Sequence, residues 1–233
     1  MNKTAMILAG GSGTRAGGGI PKQFRKLCGC PVIWHSMHAF KQADPDTRLM
    51  LVVHEEWISH LRKILDAMPQ AQHYDYTIVA GGGSRIHSVM NGLALISQDG
   101  GYDLVAVHDA ARPLITPAMI TLGWETAMRH NSAVPVVPLA DSIRETYPGG
   151  SHAADRAHFR LVQTPQIFNI RLLKSAYGKI DPEDVPSQLT DDASVIEAID
   201  QSVTLYDGIP ENIKITTPID FIVAEALMHH RNG

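Results

Sequence analysis

The chain has 233 residues, of which 44% are hydrophobic and 19% are charged, and its formal net charge is -4. This length predicts one large domain over residues 1–233, which can bury most of its apolar surface without disulfides. The negative charge, with no block rich in Lys or Arg, argues against non-specific binding to nucleic acid.

The first predicted element is a buried strand at residues 5–8, whose apolar run is too short for a signal peptide or a membrane span. We therefore expect a cytoplasmic protein without a membrane partner. The two cysteines, Cys28 and Cys30, are separated only by Gly29, and no second Cys or His pair stands at zinc spacing. Neighbours this close rarely form a disulfide, so we expect two reduced thiols.

A glycine-rich loop follows the first strand. Its glycines are Gly10, Gly11, Gly13, Gly17, Gly18 and Gly19. Without a Cβ, glycine lets the backbone approach a ligand and point several N–H groups at one anion. Arg15 and Lys22 add positive charge, and no acidic residue lies between Ala9 and Lys22. The loop is therefore predicted to bind phosphate groups.

Two well-known phosphate-binding loops do not fit this stretch. The ATPase loop ends in Lys-Ser or Lys-Thr, which does not follow these glycines. In a dinucleotide-binding loop, Ala16 would stand at the third glycine position, and residues 17–21 would interrupt the helix expected after it. A flexible turn without a ligand is the alternative interpretation.

The loop also resembles a known signature. Leu8-Ala9-Gly10-Gly11-Ser12-Gly13-Thr14-Arg15 is similar to that of sugar-nucleotide-type nucleotidyltransferases, and Pro21-Lys22-Gln23 is similar to their cytidylyltransferase branch. With the motifs described below, nearly the whole chain resembles the 2-C-methyl-D-erythritol 4-phosphate cytidylyltransferase family. The resemblance implies catalytic roles for Arg15 and Lys22. It also implies nucleotide contacts from Ala9, Gly10, Gly11 and Gly13.

Short apolar runs alternate with helix-length segments along the first part of the chain. Strands are predicted at residues 5–8, 49–53, 76–80, 104–107 and 133–137, and helices at residues 32–41, 56–68, 87–96 and 117–130. This alternation predicts an α/β fold: a Rossmann-like, mostly parallel twisted sheet with helices on both faces. The loops after Leu8, Ala80 and Val107 should then meet at the carboxyl edge, where ligands bind.

The loop after residues 76–80 is a second glycine segment, Gly81-Gly82-Gly83-Ser84-Arg85, which leads into a predicted helix. An ordinary strand-to-helix turn is the alternative interpretation. The family resemblance implies that backbone groups and a serine of this segment contact the cytosine ring, and that Gly82, Gly83, Arg85 and Ser88 bind the nucleotide. Gly83 departs from the family pattern, because many members have an acidic residue there.

The third loop, His108-Asp109-Ala110-Ala111-Arg112-Pro113, follows the strand at residues 104–107. From the residues alone, Asp109 and Arg112 are equally compatible with a solvated ion pair. The resemblance implies that Asp109 binds substrate and the metal Mg2+, Arg112 holds the loop and binds substrate, and Ala110 contacts the nucleotide. A single carboxylate suits Mg2+, which keeps its waters and phosphate oxygens. His108 is expected to be structural.

A β-hairpin arm is predicted at about residues 139–163. Residues 139–145 and 159–163 have strand character, with a turn cluster at residues 147–151 between them. A two-stranded ribbon is marginally stable alone and normally packs on something. The resemblance implies that the arm embraces a second subunit in a homodimer. It also implies substrate contacts from Ser142, Arg156 and Thr164.

Two further motifs lie towards the C-terminus. Thr190-Asp191-Asp192-Ala193-Ser194 is predicted to start a helix with Thr190 as its cap. A general-base role for the paired carboxylates is the alternative, although a phosphate nucleophile needs no deprotonation near neutral pH. Lys214 lies in an alternating Ile-Lys-Ile run that is predicted to return to the sheet as a strand. An edge-strand lysine is the alternative; the resemblance implies that Lys214 binds the substrate phosphates.

The resemblance implies transfer of CMP from CTP to 2-C-methyl-D-erythritol 4-phosphate, with release of pyrophosphate. Ribitol 5-phosphate or another sugar phosphate is the alternative acceptor, because the sequence does not reveal the shape of the pocket. A non-catalytic nucleotide-binding regulator is the alternative of another class. The presence of every cation of the motifs argues against that regulator.

Overall fold

The computed structural model describes residues 2–11, 19–68, 74–96 and 103–232. The strands are β1 (Lys3–Ala9), β2 (Lys26–Leu27), β3 (Cys30–Pro31), β4 (Arg48–Val53), β5 (Tyr76–Ala80), β6 (Leu104–Asp109), β7 (Ser132–Pro138), β8 (Ile143–Tyr147), β9 (Gly150–Ala154), β10 (Arg160–Val162), β11 (Gln166–Asn169) and β12 (Leu205–Asp207). The helices are α1 (Val32–Ala43), α2 (Ile58–Asp66), α3 (Arg85–Leu95), α4 (Pro117–His130), α5 (Ile170–Tyr177), α6 (Asp192–Glu197) and α7 (Pro218–Asn232).

One large sheet has the strand order β10-β7-β11-β6-β1-β4-β5, and β12 pairs with β7. Strands β6, β1, β4 and β5 are parallel to one another, whereas β11 is antiparallel to both β6 and β7. The predicted α/β fold with a mostly parallel sheet is therefore confirmed. Each of the five predicted strands lies within an observed one.

Helices cover both faces of the sheet. Alternate residues of a strand point to opposite faces, so Ala5 and Ile7 pack with α1, α2 and α4, while Met6 packs with α3, α5 and α6. Both clusters consist of buried side chains. This two-sided burial explains why the parallel strands have continuous apolar runs instead of an alternating pattern.

The arm differs in register from the prediction. Its hairpin pairs β8 with β9, so Tyr147 lies opposite Gly150 across a short turn in which Gly149 has a φ of +91°. The predicted second strand at residues 159–163 instead contributes β10, which is antiparallel to β7 in the main sheet. The turn chemistry at Pro148-Gly149 closes the hairpin early, because loop length and turn type fix the register.

Two local predictions near the C-terminus were also wrong. The segment around Lys214 is irregular, and the strand that pairs with β7 is β12, earlier in the chain. Helix α6 is capped by Asp191, not by Thr190: the Asp191 carboxylate accepts a hydrogen bond from Ser194 N, and the Ser194 hydroxyl accepts one from Asp191 N.

Among the described helices, none is both long enough and apolar enough to cross a bilayer. The cytoplasmic location expected from the sequence stays a prediction.

Candidate active site

The loops after β1, β5 and β6 meet at the carboxyl edge of the sheet, as predicted. Leu8 pairs with Asp109 across β1 and β6, and the Leu8 carbonyl accepts a hydrogen bond of 3.0 Å from Ala110 N. A Cβ added to Gly10 would lie 3.6 Å from the Ser88 hydroxyl of α3. The described start of the first glycine loop, at Gly10, therefore lies beside both of the other loops.

Gln23, which follows the first glycine loop, is hydrogen-bonded to the backbone where that loop begins. Its side-chain amide donates to the carbonyls of Ala9 and Gly11, at 2.7 and 2.9 Å, and the residue is 3% exposed. Lys22 precedes it in a single 3-10 turn and is half-buried. Gly13 and Arg15 lie outside the described residues. The sequence motif contained Gln23, but its structural role was not predicted.

The second glycine segment is folded back on the start of α3. The Ser88 hydroxyl accepts from Gly82 N at 3.1 Å and donates to the Ser84 carbonyl at 2.9 Å. A Cβ on Gly82 would lie 2.3 Å from His87 Cβ, whereas one on Gly83 would meet no described atom within 4 Å. Glycine is therefore needed at position 82 to avoid a clash. The contacts of this segment with cytosine stay predictions.

Asp109 is the electrostatic centre of the site. Its Oδ2 atom lies 2.7 Å from Lys214 Nζ and 3.8 Å from Arg112 Nε. Burial alone would raise the pKa of the Asp109 carboxyl, but the charges of Lys214 and of Arg85 and Arg112 outweigh it and lower that pKa to about 2. Asp109 is thus a carboxylate at every working pH.

Lys214 reaches Asp109 because the residue after it is anchored. The Ile215 side chain is fully buried against α7 and Leu114, and its N–H donates to the Ala111 carbonyl at 2.8 Å. These contacts fix the irregular segment next to the loop that follows β6. The Lys214 side chain is 44% exposed, so its ammonium group can also meet an anion from solvent.

Arg112 and Thr164 hold the loop around Asp109. The Arg112 guanidinium donates to the carbonyls of Asn212 and Val162, at 2.8 and 3.3 Å. The Thr164 hydroxyl accepts from Asp109 N at 3.1 Å. Arg112 thus holds the loop as expected from the sequence. The predicted substrate contacts of Arg112 and Thr164 stay predictions, as does that of Ala110, which is fully buried.

His108 is structural, as expected. It is fully buried, with Ser36 Oγ 3.2 Å from Nε2 and Thr164 Oγ1 3.0 Å from Nδ1. Burial lowers the pKa of His108 to about 4, so the imidazole is neutral near pH 7.

Ser142 and Arg156 lie on the arm. Both are exposed, and Arg156 Nη1 donates to the Ala140 carbonyl of the same arm. The arm thus presents Arg156 at the surface, whereas Lys214 and Arg112 both lie against Asp109. The predicted substrate contacts of Ser142 and Arg156 stay predictions.

An ion pair with a fully buried carboxylate, behind the second glycine segment, was not predicted. Arg85 makes two hydrogen bonds to the carboxylate of Asp192, which also accepts one from the Tyr177 hydroxyl. Burial opposes the charge on Arg85, but Asp192 outweighs it and raises the pKa of Arg85. The sequence has two adjacent aspartates, Asp191 and Asp192, at the start of α6. Because one carboxylate is enough to cap a helix, the second was the signal that could have indicated another partner.

Comparison with known proteins identifies the family of the chain. The model of the family IspD, 2-C-methyl-D-erythritol 4-phosphate cytidylyltransferase, matches residues 4–230. The chain belongs to this family. The 2-C-methyl-D-erythritol 4-phosphate cytidylyltransferase of Bacteroides thetaiotaomicron is 39% identical over 230 residues, which cover 98% of this chain and 100% of the relative. That of Bacillus velezensis is 38% identical over 237 residues, covering 100% and 98%.

Solved structures agree with this assignment. The crystal structure of 2-C-methyl-D-erythritol 4-phosphate cytidylyltransferase from Thermus thermophilus has a TM-score of 0.75 and 29% identity, covering 98% of this chain and 100% of that one. 4-Diphosphocytidyl-2C-methyl-D-erythritol synthase from Anaerococcus prevotii has a TM-score of 0.81 over 98% of this chain and 96% of that one. Its 22% identity supports the shared fold alone.

Proposed function

We propose that this chain transfers CMP from CTP to 2-C-methyl-D-erythritol 4-phosphate, giving CDP-methylerythritol, an isoprenoid precursor, and pyrophosphate. The observation that carries the proposal is the family match over residues 4–230, which contains all three loops of the site. The cluster of Asp109 with Lys214 and Arg112 at the carboxyl edge supports it, because anionic substrates need fixed positive charge.

The reaction is an in-line displacement at phosphorus. An oxygen of the acceptor's phosphomonoester forms a bond to the α-phosphorus of CTP. The bond from that phosphorus to the bridging oxygen breaks, and pyrophosphate leaves with the electron pair. The nucleophile is already an anion near neutral pH, so catalysis depends on positioning and on charge stabilisation more than on proton transfer.

The chain's cations have separate tasks in this proposal. Lys22 and Arg15 stabilise the charge that develops on the α-phosphate. Lys214, held at the rim by Asp109, binds the acceptor phosphate, because its ammonium group is partly exposed and already lies beside the carboxyl edge. The first glycine loop supplies N–H groups to the triphosphate, and Gln23 holds that loop through Ala9 and Gly11.

The residues at this edge fit Mg2+. Within the described chain, no group of three or more His, Cys, Asp or Glu side chains could hold a metal ion. Mg2+ does not need such a group, since one ionised carboxylate with waters and phosphate oxygens suits its coordination. Asp109 supplies that carboxylate. Held by Asp109, Mg2+ would neutralise phosphate charge and assist pyrophosphate departure.

We also infer a homodimer that forms through the arm. The β8–β9 hairpin is a separate two-stranded sheet whose residues are exposed or half-buried, and such a ribbon is marginally stable alone. Tyr147, at the tip of the hairpin, is 53% exposed, and Phe159, later in the arm, is 47% exposed. A second copy of the chain would cover these apolar side chains. It would also bring Arg156 to the acceptor phosphate of its partner.

The test is a pyrophosphate-release assay with Mg2+, each of four nucleoside triphosphates and a panel of polyol phosphates. We expect release with CTP and 2-C-methyl-D-erythritol 4-phosphate, and much slower release with ATP, GTP or UTP. Release with ribitol 5-phosphate instead would replace the acceptor. Nucleotide binding without release from any pair would indicate a regulator and overturn the proposal.

A further inference from the structure

A charged group is buried between α3, α5 and α6. The Asp192 side chain is 0% exposed, and its two oxygens lie 3.0 and 2.5 Å from the two terminal nitrogens of Arg85. The Tyr177 hydroxyl donates to Asp192 Oδ1 at 2.6 Å, and Tyr177 is 2% exposed. The buried Asp192 and Tyr177, with the part-exposed Arg85, form a cluster that we call the buried triad.

Capping of α6 does not account for the buried triad. The cap is Asp191, which already makes both hydrogen bonds of a capping box with Ser194. Stability is also a weak explanation. Removing the Asp192 carboxylate and most of the Arg85 side chain from water costs free energy that offsets much of their attraction, and apolar residues of similar volume often replace buried pairs without loss. Another task is therefore expected for Asp192.

The position of Arg85 suggests that task. Arg85 is the first residue of α3 and directly follows Ser84, the N-cap residue that ends the second glycine segment. The same helix turn carries Ser88, whose hydroxyl accepts from Gly82 N. Fixing the Arg85 side chain therefore restricts both the start of α3 and the segment in front of it.

The other side of α6 is attached to the strand of Asp109. In the Gln166 side chain, Nε2 donates to Asp191 Oδ2 at 2.8 Å and Oε1 accepts from Ala193 N at 2.9 Å. Gln166 belongs to β11 and pairs with Val107 in β6, which ends at Asp109. The first turn of α6 thus connects the strand of Asp109 to the second glycine segment.

We propose that Asp192 and Tyr177 are positioning residues for the nucleotide, which hold Arg85 and thereby fix residues 81–84 in the conformation that binds the base. The inference rests on the function proposed above. A segment that contacts the base equally in the ground state and the transition state changes KM when it is loosened and leaves kcat nearly unchanged.

The experiment compares Asp192→Asn and Tyr177→Phe with the wild-type enzyme. Asp192→Asn keeps the shape but removes the charge, and we expect the KM for CTP to rise about tenfold or more while kcat changes less than about threefold. Tyr177→Phe removes one hydrogen bond and should shift KM in the same direction by a smaller factor. The KM for the acceptor should stay near its wild-type value in both.

A further variant separates positioning from stability. Leu65→Ala makes a cavity in the core on the opposite face of the sheet, and it should lower the unfolding temperature without changing the KM for CTP. If Asp192→Asn does not fold, Tyr177→Phe provides the same comparison, because it leaves Arg85 and the Asp192 carboxylate in place.

The outcomes are distinct. A wild-type KM for CTP in Asp192→Asn, or in Tyr177→Phe where Asp192→Asn does not fold, would overturn the inference and leave the buried triad with a structural role only. A raised KM for CTP in Leu65→Ala would overturn it as well, because general destabilisation would then suffice. A wild-type enzyme that releases no pyrophosphate would overturn the proposed function itself, and that result is seen before any variant is assayed.

Discussion

Lys214 Nζ lies 2.7 Å from Asp109 Oδ2, and this contact joins an irregular C-terminal segment to the end of β6. Burial raises the pKa of Asp109, while Lys214 is the strongest of the charges that lower it to about 2. The lysine therefore has two effects in the proposed site. It keeps the carboxylate ionised, and it presents positive charge to phosphate.

The first prediction follows from this pair. Lys214→Met should raise the pKa of Asp109, because desolvation remains and the nearest cation is gone. The Asp109 carboxyl should then titrate at a pH higher by about one unit or more than in the wild type, and activity should fall overall. The 13C chemical shift of the Asp109 carboxyl, followed by NMR from neutral pH down to the acid limit of the folded protein, measures this titration. Lys214→Arg is the control and should keep the wild-type titration; identical titrations in all three proteins would contradict the prediction.

The second prediction concerns Lys22. If its ammonium group binds the α-phosphate more strongly in the transition state than in the ground state, Lys22→Ala should lower kcat by about a hundredfold or more. Binding of CTP, measured by calorimetry, should weaken far less. Lys26 is exposed and serves as the matched control, so Lys26→Ala should keep the wild-type kcat. An unchanged kcat in Lys22→Ala would make Lys22 a surface residue.

The third prediction compares neighbouring glycines. A Cβ at position 82 would lie 2.3 Å from His87 Cβ, so Gly82→Ala must displace the segment or α3. We expect it to lower the free energy of unfolding by about 1–3 kcal/mol and to raise the KM for CTP. Gly83→Ala adds a methyl group where no described atom lies within 4 Å, so its free energy of unfolding should stay at the wild-type value. Equal stability of the two variants would contradict this account.

The fourth prediction concerns pH and His108. Its pKa falls from 6.5 to about 4 on folding, because burial disfavours the charged imidazolium. Between those values the unfolded chain binds more protons, so stability should fall as the pH drops from 6.5 to 4, by about 3 kcal/mol from this residue. His35 and His38, whose pKa values are also lowered, add to the slope.

Denaturant unfolding at several pH values measures that slope. His108→Gln should lower this slope by an amount that corresponds to nearly one proton taken up on unfolding, whatever the effect of the substitution on stability at pH 7. His130 is exposed at the end of α4, so His130→Gln should keep the wild-type slope. If His108→Gln kept the full slope, His108 would not be responsible for it.

Much of the fold could be predicted because its signals are local. Helix α4 has the predicted bounds, since Thr116 caps it, Pro117 begins it and Asn131 ends it with a φ of +66°. Continuous apolar runs indicated the parallel strands. Their carboxyl ends then placed the three loops together, because parallel strands end at one edge of a sheet.

The remaining features depend on contacts between distant parts of the chain. Gln23 was visible as part of a motif, but its hydrogen bonds to Ala9 and Gly11 depend on how the loop closes. Asp192 was visible as a carboxylate at a helix start, yet its partner Arg85 belongs to another helix. The alternation around Lys214 suggested a strand, although sheet pairing needs a neighbour that the local pattern does not contain.

The last prediction is that two chains share each active site. If Arg156 acts on its partner's site, homodimers of Arg156→Ala and of Lys22→Ala should both be nearly inactive, because every site lacks one cation. In a heterodimer of the two variants, one site has both defects and the other has neither. Random subunit exchange makes half of the dimers heterodimers, so activity should return to roughly a quarter of wild type. Mass spectrometry verifies the exchange. An exchanged mixture no more active than its parents would place Arg156 in its own chain's site, since every site would then keep one defect.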